Sequence, residues 1–362
     1  MNTVQLDTAI KFGAGRYRQE QGLLKFCGEE IARFAKDVLV LTGHRSWDAV
    51  KDEFRSSLDQ AGIRYRVEHY DGRCSYEGAR EYADLAQSCG AQEIVGVGGG
   101  LICDFAKAVA EYAGVGCITV PTSASTCAPF TCMSVMYTLE GAKKDCWRYE
   151  HEIDAILVDT QVIASCPHRY NAAGILDAMA KKIEILDGKP QLDLSATPID
   201  LYSAFHFAVG CYDILAQEGP RAIEDNRRGE ATKAIDDMAF VNIATTGVIA
   251  NITKSYSQSA LAHAFYDGVC THFTNEAAQA LHGEIVAVGL FCQLYYNELP
   301  ELESSLREYM SNMDLPLTLG ELGIEPTEQN LDIIEKYLGN TRHVKNDEES
   351  RLRLHQAIRE MV

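Results

Sequence analysis

Along the first half of the chain, apolar residues fall into short runs that alternate with amphipathic stretches. Val38-Leu-Val-Leu41, ending in Thr42-Gly43, reads as a buried strand, and a helix is predicted over 47–61. A strand over 65–68, a helix over 76–89 and a strand over 93–97 continue the rhythm, followed by a helix over 104–113 and the run Cys117-Ile-Thr-Val-Pro121. Such alternation predicts a doubly wound parallel sheet, because each parallel strand pair needs a crossover element. After Cys166-Pro167-His168 the pattern becomes almost wholly helix-compatible. Helices are predicted over 172–186, 201–218, 230–250, 257–266, 275–299 and 330–338, with the charged stretch 345–350 capping a last one. The expected organisation is an α/β domain over 1–166 and a helical domain over 167–362, with the active site in the cleft between them.

Where the third predicted strand ends, Glu93-Ile-Val-Gly-Val meets Gly98-Gly-Gly100 and then an amphipathic helix. Glycines lack Cβ atoms, so backbone N–H groups at Gly98, Gly99 and Gly100 can approach an anion while the helix offers the positive end of its dipole. The turn suits a nucleotide pyrophosphate. A plain strand-to-helix turn would use the same residues.

Composition narrows the function classes. With 362 residues, 46% of them hydrophobic, the chain can bury the core of two ordinary domains. A formal net charge of -19 argues against nucleic acid or an anionic membrane as partner, so an anionic ligand must be held locally. Residues 1–7 show neither a basic nor an apolar signal region, and no apolar run reaches the length of a membrane span. A cytoplasmic protein acting on a small molecule is expected. Twelve cysteines without a C-x-x-C pair read as free thiols.

Three side chains in the helical half carry candidate chemistry. Asp177 lies in the apolar stretch Ala173-Gly-Ile-Leu-Asp-Ala-Met-Ala180, where a carboxylate is unfavourable unless paired. Lys181, four residues on, is one partner. His263 and His282 stand alone on apolar helices, and each by itself reads as a satisfied core histidine. Together with a buried carboxylate they form an N/O donor set suited to Zn²⁺ or Fe²⁺ with positions left open, which is a catalytic arrangement. His272 is the competing nearby choice.

Gly98-Gly-Gly-x-x-x-Asp104-x-x-Lys107, Pro121-Thr-x-x-Ser-Thr126-x-Ala-Pro129, Ser134-Val-x-Tyr137, Ala173-Gly-x-x-Asp-Ala178, His263-Ala-Phe and His282-Gly-Glu occur in order across the chain. As a set they resemble the glycerol dehydrogenase branch of the iron-containing (group III) alcohol dehydrogenases, and Phe12-Gly-Ala-Gly-Arg-Tyr17 and Cys74-Ser75 extend the likeness over nearly the whole length. The resemblance implies a Rossmann-like dinucleotide-binding domain followed by an all-helical metal-binding domain, the architecture of dehydroquinate synthase. It implies a divalent metal, Zn²⁺ first, on Asp177, His263 and His282, and an NAD or NADP cofactor. Cofactor contacts are implied at Gly99, Gly100, Thr122, Ser125, Thr131, Met133 and Tyr137, with Gly98, Asp104, Val135, Gly43 and His44 completing the set. A homo-oligomer is implied as well.

Departures from that branch bear on the substrate. Cys127 stands where glycerol dehydrogenases carry a polyol-binding aspartate, a change shared with hydroxycarboxylate dehydrogenase relatives that reduce short 2-oxo acids. Leu101 replaces the usual lysine after the glycines, leaving the backbone cradle intact. Gly43-His44-Arg45 lacks the acid that favours NAD, so NADP(H) enters as an alternative. Tyr266 replaces a second histidine that is not an implied ligand. The expected activity is metal-dependent, NAD(P)-linked interconversion of a small secondary alcohol and its ketone, a short 2-hydroxy/2-oxo acid. The alternatives are a glycerol or polyol dehydrogenase and, in another class, a dehydroquinate synthase-like lyase. The lyase would need several cleft cations, for which Lys107, Lys181 and Lys182 are the candidates.

Overall fold

The computed structural model describes residues 10–254 and 258–362. The reading of residues 1–7, and the start of the helix predicted at 257, lie outside the described residues. The α/β half contains β1 (Arg16–Glu20), α1 (Cys27–Ile31), β2 (Asp37–Thr42), α2 (His44–Gln60), β3 (Arg64–His69), α3 (Tyr76–Ser88), β4 (Glu93–Gly98), α4 (Gly100–Ala113) and β5 (Gly116–Pro121). A hairpin, β6 (Met133–Tyr137) with β7 (Lys143–Arg148), precedes β8 (Ala155–Asp159). Six strands form one parallel sheet in the order β1-β8-β5-β4-β2-β3.

Two-residue periodicity along the strands sorts the core into two layers. Val38 and Val40 of β2, with Val95 and Val97 of β4, pack on Trp47, Val50, Phe54 and Leu58 of α2. Leu39, Leu41 and Ile94 point the other way, onto Ala79, Ala83 and Ala86 of α3 and Phe105 and Val109 of α4. Both faces are covered, as expected of a doubly wound sheet. From β2 the chain runs outward to β3 and then returns to the far side of β2 as β4, so strand order reverses between β2 and β4. A crevice opens at the carboxyl ends of those two strands, where α2 and α4 begin.

Four strands escaped the sequence pattern. Arg16-Tyr-Arg-Gln-Glu20 is polar because β1 is an edge strand with partly exposed side chains. The hairpin strands lie apart from the main sheet and carry little alternation. Ala155-Ile-Leu-Val-Asp159 is fully buried between β5 and β1 and therefore lacks alternation too.

After β8 the described chain is helical: α5 (Thr160–Ser165), α6 (His168–Leu186), α7 (Ile199–Arg228), α8 (Lys233–Phe240), α9 (Thr246–Ile252), α10 (Leu261–His272), α11 (Thr274–Ala277), α12 (His282–Tyr296), α13 (Pro300–Ser311), α14 (Glu328–Gly339) and α15 (Glu348–Arg359). The helix expected over 275–299 is instead broken by an extended residue, Leu281, so that α12 starts afresh at His282. The helix expected over 230–250 is α8 and α9 joined by a π-type turn at Val241–Thr245. Asp347 caps α15, accepting from Ser350 N–H at 2.8 Å, so the charged stretch does end as a cap. Helices α6 and α12 are buried along almost their whole lengths, which puts Asp177 at the centre of the helical half. Among the described residues no helix is long and apolar enough to cross a membrane.

Candidate metal and nucleotide cleft

A cleft of about 960 Å³ runs between the sheet's carboxyl edge and the helices, large enough for an extended cofactor and a small substrate. Its helical wall holds Asp177 from the middle of α6, His263 from the first turn of α10 and His282 from the first residue of α12. One ligand atom from each lies within 4.8 Å of the others. Both imidazole Nε2 atoms are 3.4 Å from Asp177 Oδ1. Lys181, one turn along α6, donates from Nζ to Asp177 Oδ1 at 3.0 Å, the pair foreseen from spacing, and also lies 3.0 Å from His263 Nε2. His272 faces Tyr337 at the far end of α10, away from this cluster.

A second layer fixes the three donors. Glu184, two turns after Asp177, accepts from the backbone N–H of Ala260 at 2.7 Å and of His263 at 2.9 Å, and its other oxygen accepts from His263 Nδ1. That engages Nδ1–H and leaves Nε2 directed at Asp177. The start of α12 is tied to the start of α6 by Arg169, which pairs with Glu284, while Glu284 accepts from Leu281 N–H at 2.8 Å. A Cβ on Gly283 would overlap the backbone of Ala173, and one on Gly174 would overlap the carbonyl of Ala124. The glycines of the Ala173-Gly and His282-Gly motifs are thus close-approach positions.

Electrostatics follow from this packing. Burial pushes the Asp177 carboxyl up, but the Lys181 ammonium and the two imidazoles outweigh it and hold the group well below the ordinary carboxylate range. Burial lowers His282, which favours a neutral imidazole with a free lone pair. For His263 burial acts the same way, yet the Glu184 carboxylate reverses the sign and raises its basicity. Burial opposes charge on Lys181 too, but Asp177 keeps it an ammonium. Cys127 lines the cleft, and burial, reinforced by Asp177, pushes its thiol up to about 12.

The opposite wall is the glycine turn. Gly99 caps α4 with no side-chain acceptor, so first-turn N–H groups are available to an anion. The three glycines do different jobs: a Cβ on Gly98 would lie 2.7 Å from Ile102 Cβ, and one on Gly100 would lie 2.7 Å from Thr126 Oγ1, whereas one on Gly99 would make only an ordinary contact with Ser123 Oγ at 3.6 Å. Gly99, Gly100, Ser125, Thr131, Met133, Val135 and Tyr137 line the cleft. Gly98, Thr122, Gly43 and His44 do not line it. Thr122 N–H donates to Gly98 O at 3.0 Å, behind the turn, and His44 stacks on His69 with Asp71 3.4 Å away. An acid therefore does stand beyond β2, contributed by the loop after β3. Asp104 reaches the cleft, but protein groups occupy its carboxylate: Lys107 at 2.8 Å and Val135 N–H at 3.1 Å. It holds the hairpin in place.

The sequence profile of the iron-containing alcohol dehydrogenases matches residues 14–160. A glycerol dehydrogenase from Pseudomonas putida is 32% identical over 323 residues, spanning 88% of this chain and 86% of that protein. This chain belongs to the iron-containing alcohol dehydrogenase family. Other relatives are a glycolaldehyde reductase from Halobacterium salinarum, 27% identical over 94% of this chain and 93% of its own length, and hydroxycarboxylate dehydrogenase A of Escherichia coli, 28% identical over 84% and 81%. The crystal structure of Schizosaccharomyces pombe glycerol dehydrogenase superposes with a TM-score of 0.79 at 26% identity, covering 97% of this chain and 90% of that one.

Iron-containing alcohol dehydrogenases are NAD(P)-dependent and use a divalent metal. The residues present here fit both groups: one carboxylate and two imidazoles converge, with the Nδ1 of His263 engaged by Glu184, and the amide cradle lies across the cleft. What the sequence reading missed is the wall between them. Arg73, Lys143, Lys144, Arg148 and Arg342 all line the cleft, whereas Lys107 is buried among the carbonyls of Ala128 (2.7 Å), Thr131 (2.9 Å) and Met133. Lys182 faces Tyr212 and Asp213. Cleft cations are therefore plentiful, contrary to expectation, and come from loops and the hairpin, where sequence spacing gives no signal. Also unforeseen were Asn171, Asn242 and Asn251, which bind the backbone of Ala124 and Cys132 and pin the 122–132 loop to the helices.

Proposed function

We propose that this protein is a metal-dependent, NAD(P)-linked oxidoreductase that interconverts a short 2-hydroxy acid and its 2-oxo acid. The observation that carries the reading is the convergence of Asp177, His263 and His282 across the cleft from an uncapped glycine turn, with the neutral Cys127 beside them. Asp177, His263 and His282 would hold the ion, Gly99 and Gly100 the pyrophosphate, and the strand from Thr131 to Tyr137 would face the nicotinamide. A divalent ion supplies Lewis-acid polarisation of the substrate oxygen and the nicotinamide supplies or accepts hydride. Glu184 keeps His263 oriented throughout. Tyr266, its ring 4.2 Å from that of His282 and its hydroxyl 2.8 Å from that of Tyr137, offers a hydroxyl pair through which a proton can leave the cleft.

A thiol at position 127 neither accepts hydrogen bonds from polyol hydroxyls as a carboxylate does nor repels an anionic substrate. The glycerol dehydrogenase relative favours the second reading, a polyol substrate. The direct test is turnover of 2-oxo acids, aldehydes and polyols with NADH and NADPH; glycerol as best substrate would overturn the first reading in favour of the second. Alanine at His263 or His282 should abolish turnover and lower bound metal while circular dichroism is retained.

A further inference from the structure

The ammonium of Lys181 stands inside the candidate metal site. Its residue is only 3% exposed, and Nζ lies 3.0 Å from both Asp177 Oδ1 and His263 Nε2, two of the three donor atoms. His263 Nε2 has a single lone pair, so a divalent ion held there would displace the ammonium from it, and the Asp177 carboxylate would be divided between the ion and Lys181. Its Cα stays fixed in the buried stretch of α6. A buried ammonium that must share its carboxylate with a divalent ion is under-compensated and favours a further anion.

Charge balance points the same way. A divalent ion together with Lys181 brings three positive charges against two carboxylates, Asp177 and Glu184, leaving one positive charge uncompensated. Among the described residues lining the cleft, the remaining groups are already engaged: Cys127 is held neutral by burial, Asp104 is paired with Lys107, Asp267 with Lys143, and Asp145 accepts from the Tyr76 hydroxyl at 2.8 Å.

We infer that Lys181 is a specificity-determining residue that binds the carboxylate of a monoanionic substrate, selecting 2-oxo and 2-hydroxy acids over neutral carbonyls and polyols. The inference rests on the oxidoreductase reading above and deepens it. A carboxylate on the carbon next to the reacting one lies within a few ångströms of the reacting oxygen, which matches an ammonium that already touches two donor atoms. Lys181 supplies recognition there, and the redox step needs no proton from it.

The test compares oxamate, a non-reducible 2-oxo acid analogue, with its neutral counterpart oxamide by calorimetry on Zn²⁺-loaded protein with NADH bound. Wild type should bind oxamate about 100-fold more tightly than oxamide, the usual scale for a buried charge pair. Lys181→Met should lose that preference, Lys181→Gln serves as a second neutral variant, and both should hold Zn²⁺ at least as tightly as wild type in a chelator competition because a competing cation is gone. Equal binding of the two ligands by wild type, a preference that survives in the variants, or weaker Zn²⁺ binding by both would overturn the inference. The two levels separate cleanly. Lys181-dependent oxamate binding with no turnover of 2-oxo acids removes the proposed activity alone, whereas 2-oxo acid preference unchanged in both variants removes Lys181 alone.

Discussion

Glu184 lies on the same face of α6 as Asp177, two turns on, and three groups from the start of α10 converge on it: the N–H of Ala260, the N–H of His263 and His263 Nδ1. Burial would raise its carboxyl, but His263 and Lys181 hold it low, so it stays an anion. Glu184→Gln should leave the fold intact yet weaken divalent-metal affinity by about 10- to 100-fold, as removal of a carboxylate behind a ligating histidine does; a chelator competition with Zn²⁺ measures it. Cys127 makes the opposite experiment available. Cys127→Asp would place a carboxylate beside Asp177 and cancel the site's surplus positive charge, so kcat/KM for 2-oxo acids should fall about 10-fold or more while polyol oxidation rises. If both substrate classes respond alike, position 127 does not discriminate between them.

At the scale of elements, two glycines allow the close approaches around the site, one between two helices and one between a helix and the loop after β5. Gly283 brings α12 onto the backbone of Ala173, and Gly174 brings α6 under the 122–128 loop through the carbonyl of Ala124. Gly283→Ala and Gly174→Ala should each destabilise the protein by roughly 1–3 kcal/mol through overpacking, read as a fall of several degrees in Tm. Gly99→Ala, where a Cβ meets only Ser123 Oγ at 3.6 Å, should change Tm little and weaken cofactor binding instead. These elements also show how far sequence pattern reaches. Strands β2 and β4 were legible as short apolar runs between turns, and α4 as the helix behind three glycines. The break before α12 was not, because 278–281 is Ala-Gln-Ala-Leu, good helix sequence with neither glycine nor proline. Tertiary bonds impose that break: Glu284, fixed by Arg169 from α6, takes the N–H of an extended Leu281. Without it His282 would lie inside a continuous helix instead of at the start of one, facing Asp177.

Over the whole molecule, surface and cleft differ in sign. A chain of net charge -19 carries Arg73 and Lys144 at the cleft wall, each stacked on a tyrosine, Tyr137 and Tyr76. The three metal-site residues were legible as polar exceptions in apolar helices, but the cleft cations became visible only once the hairpin had folded over the glycine turn. At the opposite, amino-terminal edge of the sheet, the carboxyls of Glu93 and Asp154 crowd the same space above Gly116. Burial first, then Asp154, pushes the Glu93 carboxyl up to about 9 from 4.5. Between those two values the folded protein holds a proton that the unfolded chain has released, so this group makes the fold less stable as pH rises through that window and has no effect below it. At 1.36 kcal/mol per unit the whole shift is worth roughly 6 kcal/mol as an upper bound, and relaxation and water entry reduce it. Glu93→Gln keeps the shape, cannot ionise, and can donate its amide hydrogen to Asp154. The variant should therefore exceed wild type in stability by about 1–3 kcal/mol at pH 8, with the gain shrinking toward pH 5. Urea denaturation of both proteins at the two pH values measures it. A gain independent of pH would mean that Glu93 is ionised in the folded protein, and with it that the sheet tolerates a buried carboxylate beside the half-buried one of Asp154 at its amino-terminal edge.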